Sequence, residues 1–447
     1  MENIVSLCKR RGFIFQSSEI YGGLNGFWDY GPLGAELKRC LKDFWWRRNV
    51  REREDMVGMD GAIIMNRAVW RASGHEETFS DPMVDCKTCK GRFRADQLDA
   101  TPCRQKPSLT VAACPGEKTE PRAFNLMFKS YAGPIESDEN LVYLRPETAQ
   151  AIFVQFRNIY DTSRMKLPFG IAQIGKAFRN EINPRNYTFR SREFEQMEIE
   201  YFCRAEDGLR LTDEWLEHRL RFYEDIGIPR SKIRVHEIPE SERAFYSKKT
   251  YDLEYEFPFG VSELEGIAYR TDYDLSRHIQ HSGKPLEIFD EASRQKFVPH
   301  VVEPSAGVDR TVLALICEAY DEEEVPGEGG KTEMRTVLRF HPRMAPVKAA
   351  VFPLLKNKPE LVAEARRLAA NLRPHFSIAY DESGAIGRRY RRQDEAGTPF
   401  GITIDFDTLG ENGPATKGTV TLRHRDSMTQ ERLPIKDVLP WLQQAVF

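Results

Sequence analysis

The chain has 447 residues, of which 30% are charged, and a formal net charge of -3 at pH 7. This length predicts roughly two or three domains with a sizeable apolar core, and the balanced charge excludes a protein that is basic over its whole surface. The first residues form no signal-like apolar segment and no later run approaches about eighteen apolar residues, which predicts a cytoplasmic protein without a membrane partner.

The first strong helical pattern covers residues 33–48, and Pro32 stands near its first turn. Proline suits this position because the first N–H groups of a helix have no partner within the helix. The sequence therefore predicts a long amphipathic helix before residue 50.

Four of the eight cysteines follow within a polar, loop-rich stretch. Cys86 and Cys89 form a CxxC pair, whereas ten residues separate Cys103 from Cys114. In a cytosolic chain such cysteines are expected to be free thiols or metal ligands. Two interpretations stay open, a tetrahedral zinc site with four thiolate ligands and a metal-free loop with buried thiols.

Residues 169–202, FGIAQIGKAFRNEINPRNYTFRSREFEQMEIEYF, are predicted to form an antiparallel hairpin. Two strand-like segments, 169–178 and 194–202, flank a polar loop that contains the turn-forming residues 183–186. In the second segment Gln196, Glu198 and Glu200 share one face of the strand.

The loop of this hairpin carries Arg179, Arg190 and Arg192, whose guanidinium groups match phosphate oxygens in a two-pronged geometry. Glu181 lies among them and can accept from an adenine amino group, and Phe194 can stack on the base. The hairpin is thus a candidate nucleotide site. The alternative interpretation is an exposed hairpin held by ion pairs.

Residues 302–320, VEPSAGVDRTVLALICEAY, change from an extended segment to a helix after Gly307. The apolar residues from Val308 onward recur at helical spacing, so Arg310 falls in the first turn, where the positive end of the helix dipole favours an anion. The alternative is an ordinary solvated arginine.

Strands without regular intervening helices predict an antiparallel sheet and an α+β fold, and neither GxGxxG nor GxxxxGK[ST] occurs. The acidic, glycine-rich residues 321–333 are interpreted as a flexible connection to a small α/β domain. That domain carries four arginines, Arg388, Arg389, Arg391 and Arg392. They fit an RNA-binding face or a salt-bridged surface equally well.

Residues 179–181 (RNE) and 189–194 (FRSREF) resemble motif 2 of the class II aminoacyl-tRNA synthetases, and residues 302–320 resemble motif 3. RPETAQAIF at 145–153, SELEGIAYRTDYDL at 262–275, RFRAD at 92–96 and GRRYRRQDEAGTPF at 387–400 resemble the glycyl-tRNA synthetases within that class.

The resemblance implies an α+β class II catalytic domain at residues 1–340 with a cysteine-bearing insertion at about 80–140, followed by an anticodon-binding domain at 341–447. It implies that glycine, ATP and tRNA(Gly) are the partners, rather than DNA, and that glycine reaches the tRNA through a glycyl-adenylate. It also implies a homodimer built around residues 30–65, although the helix at 33–48 could instead cap the sheet.

For ATP, the resemblance implies that Arg179 and Arg310 are the catalytic cations, on the α- and γ-phosphates, and that Glu263 holds a Mg ion. Glu181 would bind the adenine amino group and Phe194 would stack on the ring. The rest of the implied ATP set is Asn180, Phe189, Arg190, Ser191, Arg192, Glu193, Leu264, Gly307, Val308 and Asp309.

For glycine, the resemblance implies that Glu147, Glu198 and Glu303 surround the ammonium beside Ser305, with Arg94 and Arg270 on the carboxylate. The rest of the implied glycine set is Phe194, Glu195, Gln196, Met197, Pro304, Ala306 and Gly307. Crowded acids would also reject larger substrates by filling the pocket. Two other functions stay open: a related synthetase for another amino acid, and a silent relative that only binds nucleic acid.

Overall fold

The computed structural model describes residues 1–290, 294–326 and 332–447. The helices are α1 Glu2–Arg11, α2 Pro32–Trp46, α3 Arg67–Ala72, α4 His75–Thr78, α5 Ala149–Ser163, α6 Gly208–Asp225, α7 Tyr273–Ser282, α8 Val308–Ala319, α9 Pro359–Leu372, α10 Ile386–Ala396, α11 Phe406–Leu409 and α12 Val438–Val446. Within these ranges no helix has the length and apolarity that a membrane span requires.

The strands before residue 290 are β1 Ile14–Gln16, β2 Trp28–Tyr30, β3 Met56–Gly58, β4 Ser80–Asp85, β5 Arg92–Arg94, β6 Arg122–Asn125, β7 Lys129–Tyr131, β8 Leu141–Tyr143, β9 Phe169–Phe178, β10 Glu193–Cys203, β11 Ile233–Glu237, β12 Lys249–Phe257, β13 Gly260–Thr271 and β14 Ile288–Asp290. The later strands are β15 Gln295–Phe297, β16 His300–Gly307, β17 Tyr320–Pro326, β18 Thr332–Leu338, β19 Ala349–Pro353, β20 Ile378–Tyr380, β21 Phe400–Ile404, β22 Thr419–His424 and β23 Gln430–Pro434.

A seven-stranded sheet in the order β11-β12-β13-β16-β10-β9-β3 forms the larger part of the molecule. Its strands pair antiparallel except β3, which runs parallel to β9. The predicted antiparallel sheet and α+β class are therefore confirmed. The predicted hairpin is the β9–β10 pair, and the predicted helix at 33–48 is α2, which passes into a π-helical turn at Arg47–Arg51.

One face of this sheet packs against α2, α6 and α8 and forms the largest apolar core, which includes Leu37, Trp215 and Val312. The other face carries a smaller core around Phe153 and Phe156 on α5. The part of this face over β10 and β16, the strands that carry the motif residues, remains open. Functional side chains can therefore point from the sheet into a cavity that no helix of the described residues fills.

A second sheet, in the order β20-β19-β21-β22-β23, is built from residues after 348 and has its own apolar core. The strands β19, β20 and β21 are parallel, as expected when helices cross between them. A third, three-stranded sheet in the order β5-β4-β6 forms in the cysteine-bearing region.

The expected flexible connection at 321–333 is largely a hairpin, because β17 pairs antiparallel with β18; residues 327–331 lie outside the described part of the chain. Ion pairs join the two strands, from Arg335 to Glu323 and from Arg339 to Asp321. The acidic residues that resembled a linker therefore serve as partners for arginines of the next strand.

Candidate active site

A cavity of about 460 Å³ lies over the open face of the seven-stranded sheet. The residues predicted from the sequence that line it are Glu147, Arg179, Glu181, Phe189, Arg190, Ser191, Phe194, Glu195, Gln196, Glu198, Glu263, Leu264, Arg270, Glu303, Ser305, Gly307, Asp309 and Arg310. They come from β10, β13, β16, α8 and the segments before α5 and after β9, so the sheet order brings together segments that are far apart in the chain.

Two arginines mark one side of the cavity. Arg179 follows β9, and its Nε donates to the carbonyl of Pro146 at 3.0 Å while its guanidinium lies 5.3 Å from the ring centre of Phe194. Among the described residues no carboxylate lies within ion-pair distance of Arg179. Arg310, in the first turn of α8, pairs with Glu263 at 3.0 Å. Both positive charges face a space open to an anion.

The hairpin loop supplies further positive charge at this side. Arg190 lies 3.7 Å from Glu181, and burial lowers the pKa of the Arg190 guanidinium, an effect that Glu181 opposes. Arg192 instead donates to the carbonyls of Glu181 and Asn25 at 2.8 and 2.9 Å. Arg190 is thus directed at the cavity, whereas Arg192 holds the loop.

Carboxylates dominate the opposite side. Glu198 on β10 accepts a hydrogen bond from Thr148 at 2.7 Å, and Glu147 lies 3.4 Å from the ring of His75. Glu303 on β16 accepts from Nη1 of Arg270 at 2.9 Å. Burial, followed by the charge of Glu303, raises the pKa of Glu198 to about 8.

The sequence interpretation did not assign a role to Glu200. The structure buries it completely, and among the described residues neither of its carboxylate oxygens has a hydrogen-bond partner. One carboxylate oxygen each of Glu198, Glu200 and Glu303 lie within 4.8 Å of one another. Burial, and then the charge of Glu303, raises the pKa of Glu200 far above its usual range. The alternation of β10, which puts Glu198 and Glu200 on one face, was the available signal.

Arg270 is the cation of this acid cluster. Its Nε and Nη2 donate to Asp274 at 2.8 and 2.9 Å, and its Nη1 donates to Glu303. One N–H of Nη2 is not used by these bonds. Arg270 is 5% exposed, so its charge is held within the protein and directed at the carboxylates.

Asp309 and Glu195 link helices α2 and α8 to strand β10 at the floor of the cavity. Asp309 accepts from Tyr30 at 2.6 Å, from Lys38 at 2.9 Å and from the backbone N–H of Glu195 at 2.7 Å. Glu195 pairs with Lys38 at 2.7 Å. Burial opposes the charge of Lys38, but Asp309 and Glu195 raise its pKa above the usual value. These two acids are already neutralised by lysine.

Several predicted residues do not line the cavity. Arg94 pairs with Asp81 at 2.7 Å because β5 pairs with β4, and it also pairs at 2.7 Å with Asp96, two residues further along the chain. Strand alternation places Met197 and Ala306 in the apolar core on the opposite face, and Val308 packs there too. The remaining predicted residues outside the lining are Asn180, Arg192, Glu193 and Pro304.

Comparison with known proteins agrees with this geometry. Residues 131–320 match the model of the tRNA synthetase class II core domain (G, H, P, S and T), and residues 348–445 match the model of the anticodon binding domain. Glycine-tRNA ligases from Thermobifida fusca and Treponema denticola are each 51% identical to the chain, over 99% and 98% of it and 97% and 95% of their own lengths. That of Clostridium perfringens is 50% identical over 100% of the chain and 98% of its own length.

The chain belongs to the glycine-tRNA ligase family. The resemblance found in the motifs is thereby confirmed, as is the class II fold with an anticodon-binding domain. Apart from Arg94, every residue predicted to bind ATP or glycine falls within the class II core match at 131–320.

Sequence reasoning missed part of the cavity of this glycine-tRNA ligase family member. The missed lining residues are Thr188, Ile238, Glu242, Arg243, Ala244, Tyr246, Ser247, Thr250, Asp252, Gly266 and Ala268. Most belong to β12 and the loop before it, which lie near the motif strands only because β12 pairs with β13. The sequence of that loop shows no periodicity that points to a site.

The four clustered cysteines come together as two pairs. The Sγ atoms of Cys103 and Cys114 are 3.3 Å apart. The thiol of Cys86 accepts from the N–H of Cys89 at 3.5 Å, and that of Cys89 accepts from the N–H of Gly91 at 3.4 Å. Backbone N–H groups directed at sulfur stabilise thiolates, and they lower the pKa of Cys86. Four thiols are the ligands that zinc prefers, but among the described residues no three of these sulfur atoms lie within 4.8 Å of one another, so the structure shows two thiol pairs rather than a closed four-thiolate site.

The arginine run of α10 divides between two roles. Arg389 is buried and donates to the carbonyl of Gly384 at 2.7 Å, and Nε of Arg392 donates to Asp381 at 2.9 Å. These two arginines stabilise the domain itself. Arg388 is exposed and remains available to a partner.

Proposed function

We propose that the cavity over the seven-stranded sheet activates glycine with ATP and then transfers the glycyl group to tRNA. The observation that carries this proposal is the division of a single cavity between arginines and a buried acid cluster. Phosphates carry negative charge and therefore match the arginine side of the cavity. The ammonium of an amino acid carries positive charge and matches the acid cluster.

In the first step the carboxylate of glycine attacks the α-phosphorus of ATP, and pyrophosphate leaves. In the second step a ribose hydroxyl of the terminal adenosine of tRNA attacks the glycyl carbonyl, and AMP leaves. Both steps depend on aligned reactants and on stabilisation of phosphate charge. Arg179 supplies that charge from the residue after β9, and Arg310 supplies it from the first turn of α8, which follows β16 directly.

Arg179 binds the α-phosphate, because among the described residues it forms no ion pair that this contact would have to break. Phe194 stacks on adenine and Glu181 accepts from its amino group. Arg310 binds the γ-phosphate, and this contact replaces its ion pair with Glu263. Glu263 and Asp252 would hold the Mg ion, which supplies further positive charge to the phosphates when bound.

The Mg assignment is supported by the two carboxylates that flank Gly266. A side chain at Gly266 would place its Cβ 3.8 Å from Glu263 and 3.9 Å from Asp252, so the glycine leaves the space between them open. Burial, and then the charge of Glu263, raises the pKa of Asp252 to about 6. Two acids that repel each other in this way favour a cation.

Glycine binds at the acid cluster, with its ammonium among Glu147, Glu198 and Glu303 and its carboxylate on the unused N–H of Arg270. Arg94 is not part of this proposed set, because both of its acid partners, Asp81 and Asp96, lie outside the cavity lining. Glu200 lies behind Glu198 and Glu303 and carries no direct contact with glycine in this arrangement.

The experiment that tests the proposal is ATP-pyrophosphate exchange with glycine, alanine, serine, proline and threonine in parallel. We expect exchange with glycine alone. Arg310→Ala should raise the barrier to adenylate formation by about 3 kcal/mol, the scale for losing one charge stabiliser. Arg230→Ala, which removes an exposed arginine paired with Glu217, is the control and should leave exchange unchanged. Near-normal exchange by Arg310→Ala would contradict the phosphate assignment.

We further propose that Cys86, Cys89, Cys103 and Cys114 hold a structural zinc ion, which would cross-link the loops around β4 and β5. Metal analysis of protein purified without chelators tests this. Roughly one equivalent of zinc is expected, and less than about a tenth of an equivalent would refute it.

We also propose a boundary between the two domains at 340/341 and a homodimer built around residues 30–65. The homodimer is supported by exposed apolar side chains within residues 30–65, where Ile63 is 37% and Ile64 47% exposed. Met59, Met65 and Val69 line a groove beside them. Sedimentation equilibrium should give twice the mass of the chain, and a monomer at assay concentration would refute it.

A further inference from the structure

Residues 238–248, between β11 and β12, form a loop over the acid side of the cavity. Both ends are fixed, because the N–H of Ile238 donates to the carbonyl of Thr250 and the N–H of Lys248 donates to the carbonyl of Tyr269, each at 2.9 Å. Within the loop, Nε of Arg243 donates to the carbonyl of Ile238 at 2.7 Å. The loop therefore holds a defined position and its side chains form a wall of the cavity.

Tyr246 is the residue of this loop that reaches the acid cluster. Its ring centre lies 4.3 Å from the guanidinium of Arg270, whose other ring neighbour is Phe153 at 5.6 Å. The same ring stacks on Tyr273 with 5.8 Å between ring centres and 28° between planes. The ring of Phe245 also contacts it, with 5.3 Å between ring centres, so two aromatic neighbours and one cation hold the ring in place.

The charges of the acid cluster and of Arg270 shift the pKa of the Tyr246 hydroxyl. Arg270 lowers the pKa of this hydroxyl, but burial, Glu303 and Glu147 together raise it to about 12. The side chain is therefore a neutral, bulky group beside three of the residues that the proposed function assigns to glycine.

We propose that Tyr246 is a specificity-determining residue whose ring closes the space beside the Cα of glycine and so excludes amino acids with a side chain. The inference deepens the proposed function and rests on it. An ammonium among Glu147, Glu198 and Glu303 and a carboxylate on Arg270 place the Cα between these groups, under the ring that covers Arg270. A larger amino acid differs from glycine by what it adds there, so a fixed wall is needed to reject it.

The test compares kcat/KM for glycine and alanine in ATP-pyrophosphate exchange, for the full chain and its variants. Tyr246→Ala should raise the alanine-to-glycine ratio about tenfold or more, the effect of opening space for one carbon group. Tyr246→Phe keeps the ring and should leave the ratio unchanged. Ser241→Ala, which changes an exposed residue elsewhere in the same loop, is the control for disturbance of the loop and should also leave the ratio unchanged.

A merely structural role would lower activity with both amino acids equally and leave their ratio at the wild-type value, and that result would overturn the proposal. If Tyr246→Ala does not fold, as judged by its thermal unfolding, Tyr246→Leu takes its place with the same criterion. Loss of glycine exchange in the wild-type chain would instead refute the proposed function. The two failures are therefore distinguishable.

Discussion

The binding of glycine should depend on pH through Glu198. Its carboxyl is completely buried beside Glu303, and burial followed by that neighbouring charge raises its pKa to about 8. In the free protein at pH 7 the group is therefore mostly protonated. An ammonium placed against it favours the ionised form, so binding of glycine should release a proton.

The size of the effect follows from the ionised fraction. With a pKa of about 8, roughly one molecule in eleven carries ionised Glu198 at pH 7, and about one in a hundred at pH 6. The KM for glycine should therefore lie about elevenfold above its high-pH value at pH 7, and about a hundredfold above it at pH 6. The sign is fixed: KM falls as pH rises and levels off above the pKa.

The assay is ATP-pyrophosphate exchange at saturating ATP from pH 6 to 8.5, with the KM for glycine measured at each pH. Glu198→Gln should weaken binding and remove the slope. Glu195→Gln is the matched control, because burial opposes the charge of Glu195 but Lys38 and Lys42 together outweigh it and lower the pKa, so that this group is already ionised in this range. A wild-type KM that stays constant from pH 6 to 8.5 would refute the reasoning.

Two further predictions concern stability. The pKa of Glu200 is raised in the folded protein, so the folded state of the wild type loses stability as pH rises above the pKa that Glu200 has in the unfolded chain. Glutamine does not titrate, so the melting temperature of Glu200→Gln should rise relative to that of the wild type from pH 5 to pH 8. An equal difference in melting temperature at both pH values would contradict this. Arg219 and Glu265 form a buried ion pair at 2.6 Å, so Arg219→Met should cost about 3–5 kcal/mol in urea unfolding. The double variant Arg219→Met/Glu265→Leu should recover most of that loss, and a loss as large as that of the single variant would count against the buried-charge argument.

The sequence predicted those parts of the site whose geometry is local. The hairpin of β9 and β10, the first turn of α8 at Arg310 and the common face of Glu198 and Glu200 all follow from periodicity within one segment. Family resemblance then supplied roles for Arg310 and Glu198, but none for Glu200. Neither source required knowledge of how distant segments meet.

The parts that the sequence could not supply depend on contacts between distant strands. Tyr246 and Asp252 enter the cavity because β12 pairs with β13, and Arg94 is turned towards Asp81 because β4 pairs with β5. The acidic segment after α8 has the composition of a linker, yet it forms a strand because Arg335 and Arg339 provide its partners. Composition alone cannot reveal such a partner.

The register of β10 against β9 is unbroken from Glu193 opposite Phe178 to Phe202 opposite Phe169, so this strand fixes the distance between the proposed adenine contact and the proposed ammonium contact. Phe194 and Glu198 lie four residues apart on it, about 13 Å along an extended chain. Inserting or deleting one residue would turn Met197 and Ile199 towards the cavity and send Glu198 and Glu200 into the apolar core. A change of chain length within β10 should therefore abolish the site, whereas the loops at either end of the strand can take one up without shifting its register.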